Sequence, residues 1–560
     1  MKARTSESAG VASLSDPKRR VALKGLAATT AGAILPALNS CAFTSSATSP
    51  VVETRAGKLR GTNVSGVEVF KGVRYADTTA ATNRFMPPQP VPPWAGVKDA
   101  TAFGASAPQT SDSLTALNSW YSQLQPLSED CLFLNLFAPA SGRASARRPV
   151  MVWLHGGSWS NCAGTAPGFN GTNLARDGDV VVVTVNHRLN VFGYLYLGDK
   201  DPRFADSANA GLFDVVASLA WVRDNIAAFG GDPGNVTVFG QSGGAAKVAA
   251  LMDFAPAHGL FHKAVIESCS GGIHLESREE AEGQARLLGA RLGIPDLDPG
   301  KLQAVPMGRM IAAMKTISDP FRPVVDGRGF TRHPFDPGAP ARSSGMPLLV
   351  GNAANEMTLY MAADPRNFSL DVNEVKKRTG LLLKQDPASA ARIVDAYRAA
   401  QPNASPSQLL AALSTDYVFR RNTTRIAELQ SAHAPVYDYV FDWKTPVMGG
   451  NLQSPHTAEV PFVFGTVDVA SGLLGNGAEL AGLSRDVMGT WTAFARTGNP
   501  NTSAMPAWAP YDTARRSTMM IDVQSHVASD PGGTARHALD GLPLYEYNVD
   551  RNSVVRSTGA

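Results

Sequence analysis

Residues 229–244 read FGGDPGNVTVFGQSGG and contain the pentapeptide Gly240-Gln241-Ser242-Gly243-Gly244. The four residues Val236-Thr237-Val238-Phe239 have strand composition, and the Ala-rich run after Gly244 has helix composition. The sequence therefore predicts a strand that turns sharply into a helix at a serine. Glycines suit that turn because the backbone is strained there and a neighbouring Cβ would clash. The Ser242 hydroxyl is then presented at a helix N-terminus, where the peptide dipoles favour developing negative charge. Five residues of this kind do not decide a chemistry, since glycine and serine are common; the rest of the chain does.

The apolar runs Val150-Met151-Val152-Trp153-Leu154 and Val180 to Val185 read as buried central strands. From Leu212 to Ile226 the pattern is helical, with Leu212, Val215, Val216, Leu219 and Val222 forming one apolar face. Strands and helices alternating through 560 residues, 44% of them hydrophobic, imply a large α/β domain with an ample core. The sequence shows no fixed-period repeat and, after Val51, no long linker.

Further motifs occur in order along the chain. Phe70-Lys71-Gly72-Val73-Arg74-Tyr75-Ala76 and Glu129-Asp130-Cys131-Leu132-Phe133-Leu134-Asn135 come first. His155-Gly156-Gly157, Asn186-His187-Arg188-Leu189 and Asn209-Ala210-Gly211-Leu212 follow, and WTAFARTGNPN spans 491–501. Together with the serine segment they resemble the signatures of the type-B carboxylesterase family, which includes the cholinesterases, from about Val51 to about Tyr547. The resemblance implies an α/β-hydrolase fold, a large mixed and mostly parallel sheet flanked by helices. It also implies hydrolysis of carboxylic esters through an acyl-enzyme.

A serine hydroxyl is a poor nucleophile at neutral pH. It needs a base in hydrogen-bond reach, and that base needs an orienting acid. In this fold the chain order is Ser, then Asp/Glu, then His. Gly351-Asn352-Ala353-Ala354-Asn355-Glu356 follows the strand-like Pro347 to Val350 and resembles the family's G-x-N-x-x-E, which gives the acid role to Glu356. The segment 454–465, SPHTAEVPFVFG, resembles the family's histidine loop and gives the base role to His456. The resemblance makes Gly157, Ser158 and Gly243 the amide donors of an oxyanion hole. His155 and His187 are read as structural, Glu459 as a brace for the histidine loop, and Ser268 as a support for Glu356 or an ordinary polar turn. Trp159 is left between pocket lining and core. Gln241 and Gly243 depart from the family's usual Glu and Ala, and Ser158 stands where it usually has Gly or Ala. An amidase or carbamate hydrolase with the same triad and a non-catalytic binding protein are the alternative functions. No metal-ligand spacing or nucleotide-binding loop stands out, so no cofactor and no metal are expected.

The N-terminus reads as an address. Lys18-Arg19-Arg20-Val21-Ala22-Leu23-Lys24 resembles a twin-arginine export signal, followed by an apolar stretch from Gly25 to Leu38 that is too short for a confident membrane span. Leu38-Asn39-Ser40-Cys41 resembles a lipobox, with ordinary cleavage near Ala42 as the rival. Residues 1–41 are thus read as the signal, 42–50 as a tether, 51–550 as one catalytic domain and 551–560 as a C-terminal tail. The product would be periplasmic or secreted, touching a membrane only through a lipid on Cys41. Overall charge is +3, but residues 1–40 hold six Lys/Arg and two Asp/Glu, a net +4, which leaves −1 for the remainder. That balance does not favour nucleic acid, and the expected partner is a small-molecule ester. The resemblance implies a disulfide from Cys131, but its expected partner position holds Ala107, so that bridge is expected to be absent; a Cys131–Cys162 pairing stays open.

Overall fold

The computed structural model describes residues 49–546 and 552–555, apart from 111–113, 144, 272 and 318–320. The expected export signal and Cys41 lie outside the described residues. A small sheet pairs β1 (Val51–Glu53), β2 (Lys58–Arg60) and β5 (Val97–Asp99).

An 11-stranded sheet takes the remaining strands. In chain order these are β3 (Thr62–Val64), β4 (Val67–Arg74), β6 (Phe133–Pro139), β7 (Arg148–Leu154), β8 (Val181–Val185), β9 (Gly231–Gln241), β10 (Lys263–Glu267), β11 (Leu348–Ala353), β12 (Val436–Phe441), β13 (Ser517–Ile521) and β14 (His526–Ser529). Their spatial order is β14-β13-β12-β11-β10-β9-β7-β8-β6-β4-β3. From β8 across to β13 every neighbouring pair is parallel, and both margins are antiparallel. This is the mixed, mostly parallel α/β sheet expected from the sequence.

Strand periodicity explains how the sheet holds two cores. Successive side chains of a strand point to opposite faces. In β7, Val150, Val152 and Leu154 enter one apolar cluster, whereas Met151 and Trp153 enter the other. Burial on both faces is why the central strands read as unbroken apolar runs. The expected helix runs Ala210–Asn225; Leu212, Val215, Leu219 and Val222 are fully buried, and Val216 is half-buried. A third, largely helical cluster includes Met357, Leu382, Leu409, Leu413 and Phe419.

Three details add to the sequence reading. The strand expected at 236–239 is longer, beginning at Gly231. Beyond residue 550, where a tail was expected, Asn552–Val555 forms a helical turn. Val554 is buried and its carbonyl accepts from Arg378 Nη1 at 2.7 Å. Among the described residues, no disulfide joins Cys131, Cys162 and Cys269, all of them buried.

Candidate active site

The predicted site residues leave the sheet at the C-terminal ends of its parallel strands, where open α/β sheets place their ligands. Gly157 and Ser158 follow β7, Ser242 and Gly243 follow β9, Glu356 follows β11, and His456 lies in the loop after β12.

Ser242 joins β9 to the helix Gly243–Asp253 with φ 58° and ψ −121°. That left-handed value is strained for a residue with a side chain. Its amide donates to Glu267 O at 2.8 Å, and its carbonyl accepts from Ala246 N at 3.0 Å. Glycine at 240 and 244 is a packing requirement. A Cβ at 240 would stand 2.7 Å from the Leu154 carbonyl oxygen, and one at 244 would overlap that same atom.

Glu356 and His456 are brought into contact. Glu356 is fully buried; its Oε1 accepts from Ala353 N at 2.8 Å, and its Oε2 contacts His456 Nδ1. The two loops are tied by backbone: Asn355 N donates to Ser454 O at 2.9 Å and His456 N to Glu356 O at 3.3 Å. Rings of Phe419 and Tyr360 pack on the imidazole at centroid distances of 4.9 and 5.5 Å. With the carboxylate on Nδ1, the acceptor lone pair of a neutral imidazole lies on Nε2.

Among the described residues, Ser242 Oγ and His456 share no hydrogen bond. The imidazole is met instead by Gln241, whose Nε2 lies 3.3 Å from both ring nitrogens. Tyr121 OH donates to Gln241 Oε1 at 2.8 Å and fixes the amide. Burial holds the Tyr121 hydroxyl well above its ordinary pKa, so it remains a donor. Serine–histidine contacts in unliganded hydrolases are often loose and tighten only with substrate.

The other side of the serine is backbone. Gly157 and Ser158 have φ of 79° and 54°. Ser160 N and Asn161 N both donate to Gly157 O, at 3.1 and 3.0 Å, closing a tight turn. Ser158 lies directly against Gly243: a Cβ at 243 would overlap the Ser158 carbonyl oxygen and Cα. Among the described residues, the amides of Gly157, Ser158 and Gly243 donate to no protein acceptor. Unspent N–H groups in a half-buried loop are expected where an anion is to be received.

A family model for the carboxylesterase family matches residues 48–537. The chain belongs to that family. It is 36% identical over 507 residues to the para-nitrobenzyl esterase of Bacillus subtilis (strain 168), covering 88% of this chain and 99% of that one. It is 32% identical to the phenmedipham hydrolase of Pseudarthrobacter oxydans, over 86% of this chain and 97% of that protein. Among solved structures, a PNB esterase superposes with a TM-score of 0.77 at 36% identity, over 88% of this chain and 99% of that one. A Geobacillus stearothermophilus carboxylesterase also gives 0.77, at 38% identity, over 87% and 99%. The fold is that of the α/β-hydrolases, and the enzyme class is that of carboxylic-ester hydrolases.

Within this carboxylesterase framework several residues do what the sequence did not tell. Ser268 Oγ donates to Glu459 Oε1 at 3.3 Å, so it supports Glu459 and not Glu356. Glu459 is fully buried, with its carboxyl held well above the ordinary range by burial and by the negative charges of Glu356 and Glu267. Glu267 ends β10 beside Gln241 of β9 and accepts from Trp491 Nε1 at 2.8 Å. Burial pushes its carboxyl up to about 8. His155 and His187 stack at 4.8 Å and are buried, in keeping with structural roles. Trp159 packs edge-on against Tyr194 at 5.4 Å in the core. Lys247 was missed altogether, although one lysine inside the otherwise apolar GGAAKVAALM was a signal in plain view.

Proposed function

We propose that this carboxylesterase works through Ser242 as nucleophile, His456 as general base and Glu356 as the acid that orients it. The observation that carries the reading is the Glu356 carboxylate on His456 Nδ1, alongside a serine held on a strained strand-to-helix turn. Substrate enters as an ester carbonyl. His456 Nε2 takes the Ser242 proton while Oγ attacks the carbonyl carbon, and the oxygen becomes an oxyanion held by the amides of Gly157, Ser158 and Gly243. His456 then gives its proton to the departing alcohol, leaving an acyl-enzyme. Water repeats the sequence, with His456 as base, and releases the acid. Glu356 keeps the proton on Nδ1 and stabilises the imidazolium between steps.

The test is Ser242→Ala. It is expected to fold and to lose ester turnover by roughly three or more orders of magnitude. Intact-mass analysis of the wild type after an organophosphonate is expected to give one adduct, on Ser242. An adduct on another serine, or full activity in the variant, removes the assignment. Likeness to para-nitrobenzyl esterase makes nitrobenzyl esters the first substrates to try, within a series of graded acyl length.

The sequence also supports export through the twin-arginine route, with Cys41 as a lipid attachment point. Replacing Arg19 and Arg20 by lysine is expected to retain the precursor in the cytoplasm. Mass spectrometry of the mature N-terminal peptide decides the anchor, since an unmodified start at or beyond Ala42 excludes lipidation. Two or three acyl chains would hold the enzyme firmly, where one binds only marginally.

A further inference from the structure

The helix that follows Ser242 carries Lys247 in its middle, fully buried. An ammonium removed from water is costly unless paired. Among the described residues, no carboxylate pairs with this one. Its Nζ donates instead to two backbone carbonyls, His155 O at 3.1 Å and Ser158 O at 2.8 Å, and lies 5.4 Å from the centroid of the Trp159 ring. Those two carbonyls bracket the amides of Gly157 and Ser158. The lysine is thus fixed to the nucleophile helix at one end and to both ends of the oxyanion loop at the other.

We propose that Lys247 is a positioning residue of the oxyanion hole. It clamps the loop 155–158 to the nucleophile helix and sets a positive charge behind the loop amides. The proposal rests on the assignment of Gly157, Ser158 and Gly243 as oxyanion donors. Preorganised donors stabilise a developing oxyanion because they need not move when the charge appears. A loop with left-handed residues at 157 and 158 does not hold such a shape unaided. Two hydrogen bonds to a rigid helix supply the restraint, and an unneutralised cation nearby favours the oxyanion over the neutral carbonyl.

The groups facing Lys247 leave that charge uncompensated. Burial, together with the lysine's own charge, pushes both stacked imidazoles down, His187 to about 3 and His155 well below its ordinary value. Both are therefore neutral near pH 7. The Cys162 thiol is the other titratable group acting on the lysine. Burial brings the Lys247 ammonium down from 10.5 to about 7. The amine left above that pH can still donate to both carbonyls, but the charge is gone.

The experiment compares wild type, Ser242→Ala and Lys247→Met on one chromogenic ester. It adds the affinity for a trifluoromethyl ketone, which forms a charged tetrahedral adduct on the serine. Lys247→Met is expected to lower kcat/KM about 10- to 100-fold, chiefly through kcat, and to weaken the ketone by a similar factor. Its Tm is expected to hold or rise, because an apolar isostere replaces a buried charge. In the wild type, kcat/KM and ketone affinity are expected to fall as pH rises through about 7, a limb that Lys247→Met lacks. Wild-type-like turnover in Lys247→Met, with Ser242→Ala inactive, overturns the clamp and leaves the triad standing. An active Ser242→Ala instead overturns the parent assignment. Should Lys247→Met not fold, the wild type alone decides: a ketone affinity that stays level from pH 7 to well above it overturns the charge behind the amides.

Discussion

On one side of Ser242 the site is made of backbone; on the other it is made of side chains. Gly156, Gly157 and Gly243 leave no room for a Cβ, and what they present are amides. Opposite them stand His456, Glu356, Glu459 and Glu267, with Tyr121 and Gln241 between, every one of them buried. The first side is backbone packed too closely to admit another atom and clamped from behind by Lys247, whereas the second is built of packed side chains. The backbone side should therefore fail when an atom is added or its lysine clamp is removed, and the side-chain side when a function is removed.

The largest effect is expected on the side-chain half. Glu356→Gln keeps the volume and the bond from Ala353 N, but its amide can donate to Nδ1 and so favour the wrong imidazole tautomer. A fall in kcat/KM of about 10³- to 10⁴-fold is expected, with Tm and the circular dichroism spectrum retained. A loss below about tenfold would mean that Glu356 does not set the tautomer.

On the backbone half, Gly243→Ala adds one methyl group where the Ser158 backbone already sits. The loop must move away from the Gly243 amide. Turnover is expected to drop about 10²- to 10³-fold, the scale of losing one oxyanion donor, and Tm to fall as well. A crystal structure of the variant checks the displacement at Ser158, and unchanged kinetics would show that the loop is not pinned there.

The smallest effect is expected at Glu267, and it is one of stability. Its carboxyl titrates near 4.5 in an unfolded chain and at about 8 when buried. Between those values the folded form binds more protons than the unfolded one. The contribution of Glu267 to stability therefore declines as pH rises through that window and levels off above about 8. Glu267→Gln removes the titration, so its Tm advantage over the wild type should widen from pH 4.5 to about 8 while turnover changes little. A Tm difference that does not vary with pH would place the buried proton elsewhere.

The same division accounts for how much could be read from the sequence. Backbone constraints leave local marks. Gly240 and Gly244 must be glycine because Leu154 O is in the way, and Gly351 must be because its Cβ would overlap Tyr439 O. Those fixed offsets made the serine turn and the Glu356 segment recognisable, and the apolar runs of β7 and β8 gave the sheet. Side-chain partnerships leave no local mark. Trp491 reaches Glu267 across 224 residues and Tyr121 reaches Gln241 across 120. No spacing rule predicts such pairs, which is why the sequence leaves Ser268 between Glu356 and an ordinary turn and does not single out Lys247.

The contact between Ser158 and Gly243 also bears on which substitutions this site can accept. A methyl at 243 and the present course of Ser158 exclude one another. The residue at 243 and the path of the loop at 158 are therefore coupled through backbone, whatever side chain 158 carries. Glycine has to be in place at 243 before the loop can settle against it, whereas restoring alanine there is barred until the loop has withdrawn.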